Sequence, residues 1–229
     1  MNKVFASRKI MRVRVERLQI IMIALALCWM AVPVCAAQDH QHHNHAKSEG
    51  QAKETPITNK MMIPDTSVID QDGRKLNFYT DLVKGKSVAI NFIFTTCTTI
   101  CPPLAATFVK VQKLAGEQSG KDFHLISITV DPATDTPARL KAWSEKFSPA
   151  KGWTIVTGNK QDIDNLLKSL GGFSASIQDH SPTVLIGNDE KGIWTRAYGL
   201  APPAKLLEVI QSATKGSITE SGHQEEKHR

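Results

Sequence analysis

Ser87-Val88-Ala89-Ile90-Asn91-Phe92-Ile93-Phe94 runs directly into Thr95-Thr96-Cys97-Thr98-Thr99-Ile100-Cys101-Pro102-Pro103. The first eight residues are almost all apolar and rich in β-branched and aromatic side chains, the composition of a strand buried on both faces. From Pro102 the period changes. Leu104, Phe108, Val111 and Leu114 recur at helical spacing, and prolines are tolerated in a first helical turn. Cys97 and Cys101 therefore stand where a central strand ends and a helix begins, the place where open α/β sheets carry their sites.

The same two periods organise the chain on either side. Val68-Ile69-Asp70-Gln71-Asp72-Gly73-Arg74-Lys75-Leu76 predicts an N-terminal β-hairpin around an Asp-Gly turn. Residues 123–130 read as a second buried strand, and Thr136 as the N-cap of a helix that turns Leu140, Trp143 and Phe147 inward. Further strands are expected at 153–156, 183–186 and 193–198, and helices at 162–170 and 203–213, with Asn188-Asp189-Glu190-Lys191-Gly192 joining the last two strands as an antiparallel hairpin. Strands alternating with helices of about ten residues predict an α/β fold, a central mixed sheet flanked by helices with parallel neighbours in its middle. Residues 60–213 are long enough for one sizeable core.

The two ends differ from this middle. Lys3, Arg8, Lys9, Arg12, Arg14 and Arg17 precede an apolar run at 18–34, and Val34-Cys35-Ala36 offers small residues for a signal-peptidase cut. Residues 1–36 are thus expected to be a signal peptide cleaved after Ala36; at roughly 17 apolar residues, the run is also near the short limit for an uncleaved membrane anchor. Cys28 follows Leu27 and Cys35 follows Val34, which disfavours lipoprotein processing. Residues 37–59 are polar and expected to be a disordered linker, as are residues 214–229 as a tail. The linker contains Asp39-His40-Gln41-His42-His43-Asn44-His45, a tract that can collect divalent metal or be simply a solvated tail.

Leader removal takes away six basic groups and one acid, which lowers the formal charge from +6 to +1. A nucleic-acid partner needs a dense basic field on the folded domain and is excluded on that ground. The same cut leaves Cys97 and Cys101 as the only cysteines of an exported chain. A disulfide closing so short a loop removes little chain entropy, so a structural staple is a weak explanation. A helix N-terminus favours thiolate, and two thiolates form a soft pair suited to Cu(I) or to dithiol redox chemistry. Structural zinc would want four protein ligands. Of the two histidines inside the domain, His124 lies within a strand and reads as structural, while His180 lies in a polar loop entering a later strand and is a candidate third ligand.

These residues resemble a specific family. The strand ending in Thr-Thr-Cys97-Thr-Thr-Ile-Cys101-Pro102, the stretch Ile126-Ser-Ile-Thr-Val-Asp131-Pro-Ala-Thr-Asp135-Thr-Pro137, and Asp179-His180-Ser181 are similar, in order and spacing, to the motifs of the Sco/SenC family. The resemblance covers residues 60–212. It implies a thioredoxin-like fold and a copper site for Cu(I), and also Cu(II), made by Cys97, Cys101 and His180. It implies a partner too, the copper-accepting subunit of cytochrome c oxidase or a similar exported copper protein, to which family members deliver copper or whose cysteines they reduce. On the second alternative the chain is a thiol–disulfide oxidoreductase with Cys97 and Cys101 as its catalytic pair, and a thiol reductant is a further partner. The expected location is the periplasm, either free or tethered to the inner membrane. The chain departs from the family at Thr98, Thr99 and Ile100, where members often carry a proline and an acid; the missing acid bears on copper affinity and redox poise. Ser181-Pro182-Thr183 resembles the thioredoxin loop in which a cis proline faces the cysteines. Asp131 and Asp135 read as turn and cap residues, with orientation of the site loop as the alternative.

Overall fold

The computed structural model describes residues 61–217. The expected leader, the linker with its histidines, and the tail beyond residue 217 lie outside the described residues. The chain builds one seven-stranded sheet in the order β2-β1-β5-β4-β3-β6-β7. Its strands are β1 (Ser67–Asp70), β2 (Lys75–Asn77), β3 (Ser87–Ile93), β4 (His124–Thr129), β5 (Trp153–Thr157), β6 (Thr183–Asn188) and β7 (Ile193–Tyr198). The helices are α1 (Cys101–Ala115), α2 (Pro137–Glu145), α3 (Lys160–Leu170) and α4 (Pro203–Lys215). Strands β3, β4 and β5 run parallel, while β1, β6 and β7 each pair antiparallel with their neighbours. The sheet is mixed with a parallel middle, as the alternation of strands and helices predicts.

Strand β3 is buried at all seven positions because both faces of the sheet are covered. Val88, Ile90 and Phe92 join the cluster under α3, and Ala89 and Ile93 the cluster under α1, α2 and α4. Each large apolar side chain so buried is worth about 1.5–3 kcal/mol against exposure. The one polar interruption, Asn91, accepts a hydrogen bond from Ser127 Oγ at 2.5 Å, which in turn accepts from Trp153 Nε1 at 2.9 Å.

The N-terminal hairpin forms around Asp70, whose carboxylate accepts the amides of Asp72 and Arg74, both at 2.9 Å, while Gly73 supplies the positive φ of +82°. Thr136 caps α2 by accepting the Arg139 amide at 3.3 Å. Other expectations shift. Leu114 is 58% exposed, because the 3.6-residue period carries the buried stripe of α1 from Val111 to Ala115 instead. Phe147 lies past the end of α2 and packs edge-on against Trp143 at 5.0 Å. Asn159 caps α3 by accepting the Gln161 amide, so that helix starts at Lys160, two residues before the expected 162. A single wide helical turn, Phe78–Val83, has no counterpart in the sequence reading; it buries Phe78 and Val83 completely.

Gly199 fixes how β7 leaves the sheet. Its amide donates to the Pro182 carbonyl at 2.7 Å, and a Cβ there would stand 2.7 Å from that oxygen and 2.5 Å from Leu104 Cδ2. Pro182 belongs to the loop that delivers His180, so this close approach ties the loop to α1. Gly199→Ala is expected to push the Pro182 backbone away and destabilise the reduced, metal-free protein by about 1–3 kcal/mol, the usual cost of overpacking. A denaturation midpoint unchanged from wild type would contradict this.

Candidate metal centre

The site is assembled at the C-terminal ends of β3 and β4. Beyond β3 the chain turns sharply, with the Cys97 amide donating to the Phe94 carbonyl at 3.2 Å, and α1 begins at Cys101. A helix start leaves four amides without helical partners. Here Ile100 is the N-cap and Leu104 N–H makes the first helical bond, to the Ile100 carbonyl at 3.1 Å; of the three residues between them, Pro102 and Pro103 have no N–H and Cys101 alone offers one. It donates to Cys97 Sγ at 3.3 Å. The sulfur of Cys97 therefore occupies the place of a capping side chain, at the positive end of the helix.

This makes the two thiols unequal. Burial raises the pKa of Cys97, but the amide and thiol of Cys101, with further hydrogen bonds from Thr99, outweigh it and bring the group below the ordinary thiol value. Cys101 is completely inaccessible, and its burial pushes the thiol strongly upward, with the adjoining Cys97 adding to the rise and the Phe94 backbone partly offsetting it. Both are free thiols.

His180 comes from the end of the short turn Ile177–Asp179, just ahead of β6, which pairs with β3 on the edge opposite β4. Its Nδ1 lies 3.0 Å from the Ile177 carbonyl. A carbonyl can only accept, so Nδ1 carries the proton and Nε2 keeps its lone pair. That Nε2 stands 3.5 Å from Cys101 Sγ. Phe94 packs edge-on against the ring at 5.2 Å and holds its orientation. A histidine whose second nitrogen is fixed by a carbonyl is arranged as metal-binding imidazoles usually are. Burial lowers its pKa, with the Ile177 carbonyl acting in the opposite direction. The ring also faces a cavity of about 240 Å³ that is lined in part by Asp131, Pro132, Phe173 and Ile177.

The structure thus brings Cys97, Cys101 and His180 together, and it keeps His124 away. His124 pairs with Val88 at the N-terminal ends of the parallel strands β3 and β4. At about 3.3 Å per residue, five residues of β4 place it roughly 16 Å from the site's end of the strand. Among the described residues, no three of His, Cys, Asp and Glu are arranged to hold a metal ion, so Cys97, Cys101 and His180 are neighbours rather than a formed metal cage. Two thiols and an imidazole suit a soft or borderline cation, and the same sulfurs suit a reversible disulfide.

Two expectations change. Peptide bonds are trans throughout the described residues, Pro182 included, so the loop lacks the cis proline that its Pro-Thr pair suggests. The Pro182 carbonyl is engaged by Gly199 and the chain continues straight into β6, so the intrinsic trans preference has nothing to overcome. Asp135 does more than cap. It is fully buried and accepts from Thr129 Oγ1 and Thr95 Oγ1, each at 2.5 Å, and from the Thr95 amide at 3.2 Å, which joins the end of β4 to the loop that carries Cys97. Asp131 is the turn residue, its carbonyl accepting the Thr134 and Asp135 amides.

Comparison with known proteins gives concordant matches. The SCO1/SenC family model matches residues 55–215. A protein of Stutzerimonas stutzeri, provisionally described as copper-binding, is 32% identical over 124 residues, covering 53% of this chain and 57% of that one. A SCO1 protein homologue of Bacillus subtilis strain 168 is 30% identical over 140 residues, covering 60% of this chain and 67% of that one. The chain therefore spans little more than half the length of the first relative and two thirds of the second. The solved structure of BsSco, described as a member of the Sco family of cytochrome c oxidase assembly proteins and as having a disulfide switch, superimposes with a TM-score of 0.58 at 25% identity, covering 71% of this chain and 97% of that one. Among the described residues no helix is long and apolar enough to cross a membrane.

Two outcomes follow from the geometry. In the reduced, metal-free protein, iodoacetamide is expected to alkylate Cys97 well before Cys101, because Cys97 combines the lowered pKa with residual exposure; peptide mass spectrometry showing Cys101 modified first would contradict the assignment. The second concerns acid. His180 and His124 both titrate below the ordinary imidazole value of 6.5, His124 through burial and the nearby Lys86. Below 6.5 the unfolded chain takes up protons that the folded chain refuses, so their contribution is complete above that pH and is lost as pH falls through the folded values. The melting temperature should drop between pH 7 and pH 5, and His180→Gln should flatten part of that slope. An unaltered slope in the variant would rule out His180 as a contributor.

Proposed function

The chain belongs to the SCO1/SenC family, and on that premise we propose that it is an exported copper metallochaperone, holding its cargo through Cys97, Cys101 and His180 and passing it to the binuclear copper centre of a respiratory oxidase. The observation that carries the reading is the His180 ring. Its proton is committed to the Ile177 carbonyl, and its free Nε2 meets the more deeply buried sulfur at 3.5 Å. Two thiolates and one neutral imidazole match the softness and low coordination number that Cu(I) accepts, and they leave a structural zinc ion short of a ligand. The Stutzerimonas relative supports copper as the metal, and BsSco supports an oxidase as the destination. The acceptor is an exported copper protein such as an oxidase subunit. The place of work is the periplasm, either free or tethered at the inner membrane.

Loading must displace a proton from Cys101, whose burial holds it tightly. That cost lowers the net affinity below what two exposed thiolates would give, and it makes binding weaken as pH falls. A carrier that must later surrender its cargo gains from such a limit.

Redox work is the second reading, and one observation favours it. Cys97 is the more accessible and more acidic thiol, and Cys101 is the inaccessible, weakly acidic one, which is the division between attacking and resolving cysteines in dithiol reductants. The disulfide switch described for BsSco agrees with it. In that role the chain reduces partner cysteines and depends on a thiol reductant for its own recovery.

The reduced exported protein, titrated with Cu(I) against a competing chelator, is expected to bind one equivalent. Cys97→Ser and Cys101→Ser should abolish that binding, and His180→Gln should weaken it by at least the ~10-fold that loss of even an outer partner costs. Full-strength binding by Cys97→Ser would sink the chaperone reading. Turnover of a partner disulfide without copper binding would establish the reductase in its place.

A further inference from the structure

Neither cysteine lines the cavity that the His180 ring faces. Its volume of about 240 Å³ falls below the roughly 300–1,000 Å³ of pockets that take whole small molecules, and it suits a single side chain. Val130, Leu167 and Ile177 give it apolar walls, while Asp131, Asp164 and Lys160 supply its charges. Lys160 Nζ is committed to Asp164 Oδ2 at 2.6 Å. Asp131 spends its amide on Thr129 Oγ1 and its carbonyl on the Thr134 and Asp135 amides, and its carboxylate has no hydrogen bond or ion pair among the described residues. One negative charge is thus left over at the wall. The surroundings add to it. Within two residues of the walls lie Asp135, Asp162 and Asp179 against Lys168 alone, so walls and edges together hold five acids and two bases, a net −3. The exported chain as a whole carries only +1. A cleft of one sign with low-dielectric walls focuses its field on an approaching cation.

The occupant must combine an apolar stem with a cationic head. Arginine has both, and its planar guanidinium can bond one carboxylate through two parallel N–H···O contacts. It is also more weakly hydrated than an ammonium, which a half-apolar cavity requires. A free arginine molecule would carry its own carboxylate into the same negative field, so the side chain comes from a protein. The cavity and the donor set share His180, so a protein anchored in the one lies against the other. We propose that this cavity receives an arginine side chain of the protein to which copper is passed, with the guanidinium on the Asp131 carboxylate and the stem along Val130, Leu167 and Ile177. The identity of that partner rests on the copper reading of the neighbouring site; the recognition of arginine does not.

The first test follows the reduced, copper-free exported protein by nuclear magnetic resonance as N-acetylarginine amide is added. Signals of Phe173, Ile177 and His180 are expected to shift, and the citrulline analogue, which has a similar shape without the charge, should leave them in place. Asp131→Asn should weaken binding by at least ~10-fold, as loss of a hydrogen-bonded charge pair does. Lys160→Gln, which releases Asp164, should strengthen it, a change of opposite sign that damage to the fold would not produce. Equal shifts with arginine and citrulline, or one affinity for wild type and both variants, overturns the site. An equal response to N-acetyllysine amide overturns the choice of guanidinium. The second test takes the copper-accepting domain of an oxidase subunit and replaces its surface arginines by Gln one at a time. One replacement is expected to raise Kd at least ~10-fold with the wild-type chain and to add nothing with Asp131→Asn. If no acceptor arginine couples to Asp131, the docking role is overturned. A wild-type chain that binds no copper removes the partner assignment alone, and the arginine site then stands or falls on the first test.

Discussion

One amide organises the site. Pro102 and Pro103 remove two of the N–H groups that the start of α1 would otherwise leave free, and the Cys101 amide finds its partner in Cys97 Sγ at 3.3 Å. The hydrogen bond fixes the distance between the cysteines, since the donor belongs to one and the acceptor is the sulfur of the other. It also separates their chemistry. The sulfur that accepts the amide has its negative charge favoured, and the sulfur below it, shut away from water, has its charge opposed. A prolyl pair after the second cysteine is therefore part of the thiol chemistry as well as a helix start.

That amide can act only if the loop before it is held, and Asp135 holds it. A fully buried carboxylate with three donors directed at it is a stable arrangement, since hydrogen bonds to a charged group contribute about 1.5–3 kcal/mol each and an unpaired buried charge costs more. The donors come from Thr95, just before Cys97, and from Thr129, at the end of the neighbouring parallel strand. Gly199 does a comparable service for the third group, by letting the Pro182 loop lie against Leu104 of α1. These contacts add to the Cys101–Cys97 and Cys101–His180 hydrogen bonds in keeping the three groups close.

Much of this was legible in the residues. A nearly continuous run rich in β-branched and aromatic residues, followed by a turn and a helical period, reads as a buried strand, so β3, the cysteine junction and α1 could be placed from local pattern. Thr136 and the Asp-Gly hairpin were equally local, each being a contact over two to four residues. The Thr95–Asp135 contact spans 40 residues, and no local pattern separates a carboxylate that caps its own turn from one that reaches a neighbouring strand. His180 stands 79 residues from Cys101; its polar loop made it a candidate ligand, and resemblance to a family strengthened the pairing. The wide turn at Phe78–Val83 escaped notice because six residues are too few to show a period, and the cis proline was an analogy that the path of the chain into β6 does not require.

Under the proposed function, the metal and the disulfide compete for the same two sulfurs. A disulfide between Cys97 and Cys101 removes both soft donors and leaves His180 alone, which is too little to hold Cu(I). Bound copper in turn occupies the Cys97 thiolate, the group that would attack a disulfide. Carrying copper and exchanging disulfides are then successive states of one pair, ordered by whichever of reductant and metal arrives first. Thr98, Thr99 and Ile100 bear on that order. Thr99 Oγ1 lies 3.7 Å from Cys97 Sγ as a neutral neighbour, where an acidic side chain in the same turn would repel the thiolate and return its proton. The uncharged loop leaves the lowered pKa of Cys97 unopposed, which favours metal capture and nucleophilic attack alike and leaves the choice between them to the oxidation state in which the pair meets its partner.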